Sequence, residues 1–269
     1  MTESIALELA PQKNLLRSQP TLWRWPAWEP FALWAVLLLA WQASTLVINQ
    51  DTNPLLPAPH TVALALWGSL PELWKGTVSS FFILLPGYAL ALVGGVSLGL
   101  VAGVVPRLGR AFFPFAKAVA PVPPTVYIPY AIAVLPTFHL SATFIVFIGA
   151  FWPIFQNAAA GAQSVEVRHR DNARVLGFSR LETLVRVTFP ASLPHIFAGM
   201  AVGLGFSFIL LTVAELFGAN AGLGRFVQYY ADMADYPRMV AGILYTGVIT
   251  WLAMTALDAL RHRTLFWLR

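Results

Sequence analysis

Long apolar stretches dominate this chain and leave it few folds to choose from. A helix that crosses a bilayer needs about 20 mostly apolar residues, because each residue advances it by only about 1.5 Å. Six stretches qualify, near residues 31–48, 81–105, 112–135, 142–160, 195–217 and 240–260. Lipid offers no partner to a backbone N–H or C=O, so a spanning segment must be a helix or part of a closed barrel. The alternating ten-residue pattern of a barrel strand is missing here. The expectation is an all-α, polytopic membrane protein with about six transmembrane helices.

Composition agrees. Charged residues make up 11% of the chain and hydrophobic ones 58%, whereas an ordinary soluble domain is about 25% charged. The net charge of +5 raises the question of nucleic acid, but the basic residues sit at the ends of apolar runs. The bilayer is therefore the expected partner, and no nucleic acid is. There is no Cys, which excludes a disulfide, a thiolate metal site and a Cys nucleophile. No His, Asp and Glu cluster has metal-ligand spacing, and no metal is expected. Residues 1–28 are polar and of mixed charge, and read as a cytoplasmic N-terminal segment. The first apolar run is longer than a signal-peptide core and lacks a small-x-small cleavage site, so it reads as a retained span. Residues 29–265 form the transmembrane domain, with a polar loop at 164–190.

Orientation follows from Lys and Arg. One side receives Lys13, Arg17 and Arg24, then Arg107, Arg110 and Lys117, counted as the connection after the second span. It also receives Arg168, Arg170, Arg174, Arg180 and Arg186, and finally Arg261, Arg263 and Arg269. Only Lys75, Arg225 and Arg238 fall on the other. Both termini and the polar loop are then cytoplasmic. Residues 51–75 read as an external connection with a short amphipathic helix.

Small residues drive helix association in lipid, because they let backbones approach. Ala91, Gly95, Gly99 and Gly103 recur every fourth residue, as do Gly199, Gly203 and Ser207. Each set forms one flat face, for packing within the chain, for a subunit interface or for the wall of a pathway. Pro121, Pro123, Pro124 and Pro129 crowd the third segment. Proline bends a helix and frees carbonyls, which a bilayer tolerates where they face protein or a water-filled cavity. Pro124 and Pro129 are thus candidates for a pathway, a structural kink being the other reading. Glu215, near the external end of the fifth span, is a gate candidate or a helix-end carboxylate that pairs with Arg225 or caps the next loop. His139, in a short external loop, is a gate contact or a surface histidine.

The loop at 164–190 is a charged island. Ser164 reads as an N-cap with Glu166 in the first turn, and Glu166 and Arg170 as an i, i+4 pair. Gly177 supplies a left-handed stop. Ser179-Arg180-Leu181-Glu182 fits a capping box that opens a second helix, and Pro190 and Pro194 end it. The result is a compact corner, suited to docking a soluble partner or to lying flat on anionic lipid.

The corner resembles the Glu-Ala-Ala-x-x-x-Gly-x9-Ile-x-Leu-Pro loop of permease subunits of binding-protein-dependent ATP-binding-cassette (ABC) importers. Asp171, Ala173, Gly177, Val187, Phe189 and Pro190 fall at the matching positions. Asn172 departs from the usual Ala, and Asp171 shortens the usual Glu. Pro121-Val122-Pro123-Pro124, Ile128-Pro129, Phe151-Trp152-Pro153-Ile154 with Asn157, and Ala214-Glu215 before Gly222-Leu223-Gly224 look like the subgroup that imports nitrate, sulfonates, taurine or bicarbonate. Leu135-Pro136-Thr137-Phe138-His139 departs from that subgroup's usual aromatic-Gly-x-Gly-acid run.

The resemblance implies a type I ABC importer permease in the cell inner membrane. Asp171, Asn172, Ala173, Gly177, Phe178, Ser179 and Pro190 would couple to a cytoplasmic ATPase subunit. A second permease copy, in a homodimer, would complete the pathway, and an external solute-binding protein would deliver a small anionic solute. ATP and Mg would sit on the ATPase. This chain carries no cofactor of its own and no enzyme activity: its lysines, Lys13, Lys75 and Lys117, lie in no phosphate-binding loop. A self-contained secondary transporter would more often show internal repeats. An intramembrane enzyme would want more than Glu215.

Overall fold

In the computed structural model, residues 29–47 and 55–268 are described. The N-terminal segment 1–28 and residues 48–54 lie outside them. Contacts divide the chain into two units, residues 1–53 and 54–269. The first contains helix α1 (Glu29–Val47), predominantly apolar from Ala32 to Thr45. Everything below concerns the second.

Helices are the regular elements of the second unit among its described residues. Helix α2 runs from Pro59 to Val104 as a single element of 46 residues, about 69 Å long. The external connection expected up to residue 75 is therefore mostly helix. Pro59 stands in the first turn, where a missing N–H costs nothing. Pro71 and Pro86 are exposed, and each removes one N–H from the helical ladder.

The proline-rich third span is not one helix. Helix α3 (Pro106–Val119) stops before Pro121; a 3-10 turn (Pro124–Tyr127) and helix α4 (Ile128–Val134) follow. Pro121, Pro123 and Pro124 supply no N–H, so the hydrogen-bond ladder cannot close through them. Helix α5 (Phe138–Ser164) starts earlier than the expected 142, because Thr137 caps it and accepts from the Leu140 N–H. Helices α6 (Val167–Val175) and α7 (Arg180–Thr183) form the polar corner. A π turn (Leu184–Thr188) leads without interruption into α8 (Phe189–Gly218), and α9 (Leu223–Asp232) and α10 (Tyr236–Thr264) complete the unit. Four helices among the described residues are long and apolar enough to cross a membrane: Pro59–Val104, Phe138–Ser164, Arg180–Gly218 and Tyr236–Thr264. Ala32–Thr45 and Pro124–Val134 are shorter apolar helices.

The core is α5 held between α2 and α8. A Cβ added at Gly99 would stand 2.6 Å from the Phe155 carbonyl oxygen and 2.8 Å from Ala158 Cβ. One at Gly95 would meet Ile154, and one at Gly103 the Ala159 carbonyl and Ala162. From the other side, Gly199 lies against Asn157 and Ile154, and Gly203 against Ile154 and the Ala150 carbonyl. Both small-residue faces thus serve packing within the chain. The Tyr88 hydroxyl ties α2 to α8 by donating to the Met200 carbonyl at 2.8 Å.

Candidate functional site

The polar corner closes the ends of α5 and α8. Ser164 does not cap α6: it is the last residue of α5, and its hydroxyl donates to the Gly161 carbonyl. Glu166 takes the N-cap position without a side-chain bond. It faces His169 at 3.7 Å rather than Arg170. Arg170 turns back to donate Nη2–H to the Val165 carbonyl at 2.6 Å. Asp171 pairs with Arg174 at 3.0 Å, in the open, where such a pair contributes little stability.

The turn between α6 and α7 is tightly specified. Gly177 has φ +77, a conformation that a side chain makes costly. Phe178 N–H donates to the Ala173 carbonyl, and Gly177 N–H to that of Arg174, both at 3.0 Å. This is a Schellman closure. Ser179 then begins α7 with both arms of a capping box: Glu182 N–H to Ser179 Oγ at 3.2 Å, and Ser179 N–H to Glu182 Oε2 at 2.9 Å. Ala173 is buried inside the corner, while Asn172 is exposed. The Arg186 guanidinium covers the Phe178 ring at 5.7 Å.

Pro190 and Pro194 do not end the second helix. Pro190 falls in the first turn of α8. Its missing N–H leaves the Arg186 carbonyl without an α-helical donor, and the preceding turn widens so that Phe189 N–H reaches Leu184. Such one-turn expansions let a helix absorb a break. Two residues passed over in the sequence stand at the tip: Val175 and Leu176, 87% and 72% exposed. An apolar pair directly before a left-handed glycine was the available signal, because the chain turns away there and leaves both side chains unpacked.

The opposite end is organised around Glu215, which is completely buried. Its Oε1 accepts from the Ser80 hydroxyl at 2.6 Å, and its Oε2 from Gly224 N–H at 2.7 Å. Leu223 N–H donates to Ser80 Oγ at 3.0 Å. The carboxyl therefore locks the first turn of α9 to α2. Gly222 (φ +145) and Gly224 lie so close that a Cβ on either would run into the Glu215 side chain. Glu215 forms no ion pair with Arg225, which instead lies over the Tyr229 ring at 5.9 Å. Tyr230 donates to Glu72 at 2.9 Å; burial first, then this acceptor, holds its phenol above the ordinary value. Glu215→Ala would strand Ser80 and Gly224 without their acceptor, at a cost of about 3 kcal/mol. Thermal unfolding in detergent should show the loss, and Glu215→Gln should recover part of it.

The four pathway candidates are not gathered into one site. No hydrogen bond among the described residues joins Glu215 to His139, Pro124 or Pro129. His139 is exposed in the first turn of α5, not in a loop. Pro124 opens the 3-10 turn, and Pro129 lies in the first turn of α4. That stretch is anchored by Ser141, whose hydroxyl donates to the Ala131 carbonyl at 3.0 Å.

Comparison with known proteins agrees with this architecture. Residues 95–265 match the family model described as binding-protein-dependent transport system inner membrane component. The chain is 30% identical to the taurine transport system permease protein TauC of Escherichia coli over 264 residues, 94% of this chain and 95% of that protein. It is 31% identical to the nitrate import permease protein NrtB of Leptolyngbya laminosa over 163 residues, 61% of this chain and 58% of that relative. The fold is similar to the crystal structure of an amino acid ABC transporter, with TM-score 0.58 and 14% identity over 74% of this chain and 97% of that one. A multi-pass helical architecture and a family match over most of its length place the chain among the inner-membrane permease subunits of binding-protein-dependent ABC importers.

Proposed function

We propose that this permease, as two copies, encloses the path of a small anionic solute of the nitrate, sulfonate or bicarbonate class. A cytoplasmic ATPase drives it through the corner at residues 164–190. The observation that carries the coupling reading is the rigid turn at Gly177, which presents Val175 and Leu176 bare at the tip. Exposed apolar side chains on a fixed backbone suit a groove on a soluble subunit, because desolvation contributes affinity and little ordering entropy is lost. Asp171, Asn172, Ala173, Phe178, Ser179 and Pro190 shape this element rather than perform chemistry.

Orientation follows from charge. Arg168, Arg174 and Arg180 belong to the corner, and Arg261 and Arg263 end α10. Leu265, just beyond α10, belongs to one buried cluster with Ala158 and Ala162 of α5, against which Leu184 packs, so we assign both groups to one end of the unit. By the positive-inside rule that end, with the C-terminus, faces the cytoplasm, and Lys13, Arg17 and Arg24 assign the N-terminus to the same side on sequence alone. Lys75 and Arg225 mark the external end, beside the anchored loop.

The solute reading rests on nitrate and taurine, the compounds imported by the relatives named above. It is tested with the partner binding protein. Nitrate, taurine or bicarbonate should raise its unfolding temperature, since a ligand that binds only the folded state stabilises it by mass action. Stabilisation only by solutes that carry no anionic group would reject the anion.

A further inference from the structure

By charge pattern alone, Lys117 belongs with the connecting residues at the basic end. The structure puts it elsewhere. The Phe112 and Phe113 rings lie 6.2 and 6.4 Å from that of Phe155, and Phe115 lies 6.0 Å from Trp152. Helix α3 therefore climbs α5 from its cytoplasmic end, and Trp152 stands almost midway along α5. Lys117, two residues beyond Phe115, comes level with the middle of the bundle.

Arg107, Arg110, Pro114 and Lys117 follow the spacing i, i+3, i+7, i+10, so they share one face of α3. All four are exposed, while Gly109 and Ala116 on the other face are buried. None of the three cations takes part in a hydrogen bond or ion pair among the described residues. A bare lysine at this depth is costly against lipid. The half-thickness of the hydrocarbon, about 15 Å, exceeds what its stem can snorkel.

A second observation points to water at the same level. Pro121 has no N–H for the Lys117 carbonyl, and Val122 N–H turns to Val119 instead of Ala118. Main-chain carbonyls thus lose their helical donors beside the ammonium. Within a bilayer, such groups persist where protein or a water-filled cavity meets them.

We propose that the Arg107–Arg110–Lys117 face of α3 lines the aqueous path and carries the solute as an anion. Lys117 is its contact nearest the midplane, and the two arginines lead to the cytoplasmic exit. This rests on the anionic reading of the solute and adds the residues that would hold it.

The chain has no native Cys, so single reporters at Pro114→Cys and Pro121→Cys can be read cleanly. The complex with its ATPase, in proteoliposomes, is treated with an anionic and a cationic water-soluble methanethiosulfonate. Both reporters should react, the anionic reagent gaining over the cationic one. Adding Lys117→Met should lower that ratio by about tenfold, because one lost charge slows one reagent and speeds the other. Uptake of nitrate and taurine should fall at least as far in Lys117→Met and persist in Lys117→Arg. Reporters that stay unmodified with and without ATP, or a ratio indifferent to Lys117, would overturn the proposal. If the unaltered complex ignores both solutes, the solute reading fails, while the reagent ratio still decides whether this face lines a cationic water path.

Discussion

Replacing Leu176 with Glu should release the ATPase from the purified complex while the helical core stays folded. Leu176 touches little in the chain itself, so the fold loses almost nothing. At an interface the same change puts a carboxylate where an apolar anchor was desolvated. Anchors of that kind contribute about 2–4 kcal/mol each, so affinity should drop by roughly thirtyfold or more. Gly177→Val reaches the same end by another route. A β-branched residue at φ +77 is strained, and the Schellman bonds that fix the tip would loosen. Co-purification and solute-stimulated ATP hydrolysis measure both variants. Retention of the ATPase with coupled uptake in Leu176→Glu would remove the corner from the mechanism.

Gly99→Leu should be the most damaging single change to the fold. Even a methyl group would meet the Phe155 carbonyl oxygen at 2.6 Å, and a backbone atom inside a helix cannot step aside alone. Helices α2 and α5 would have to separate, opening the central interface at a cost of about 3 kcal/mol or more. Gly68, in the same helix, has nothing within 4 Å of its would-be Cβ, so Gly68→Leu is the matched control. Size-exclusion profiles and thermal unfolding in detergent should separate the two variants. Equal behaviour would mean that α2 and α5 are not packed through glycine.

What could be read in the sequence was what depends on neighbours along the chain. The left-handed turn at Gly177, the capping box at Ser179 and the four-residue glycine spacings are local, and each is found where the residues place it. Apolar length likewise located the four long helices of the second unit, though not the breaks in the proline-rich third segment. Errors arose where the outcome depends on a distant partner or on how proline is absorbed. Pro190 looked like a stop, yet the π turn before it carries the helix onward. Residues 51–75 read as a connection with a short helix, yet from Pro59 onward they belong to α2. Glu215 offered several readings until Ser80, far away in sequence, appeared as its partner. The level of Lys117 follows from ring contacts between α3 and α5, which the order of residues does not reveal.

The unbroken path from α7 through the π turn to the end of α8 spans Arg180–Gly218, 39 residues, or about 58 Å. At its far tip Glu215 is bolted to both α2 and α9. Such a member behaves as a stiff pushrod. A tilt of about 5° at its base would carry the tip sideways by about 5 Å, taking α9 along by its Glu215 bond. The widened turn at residues 184–188 is the weakest link in that linkage, and its compliance would set how much of each stroke arrives.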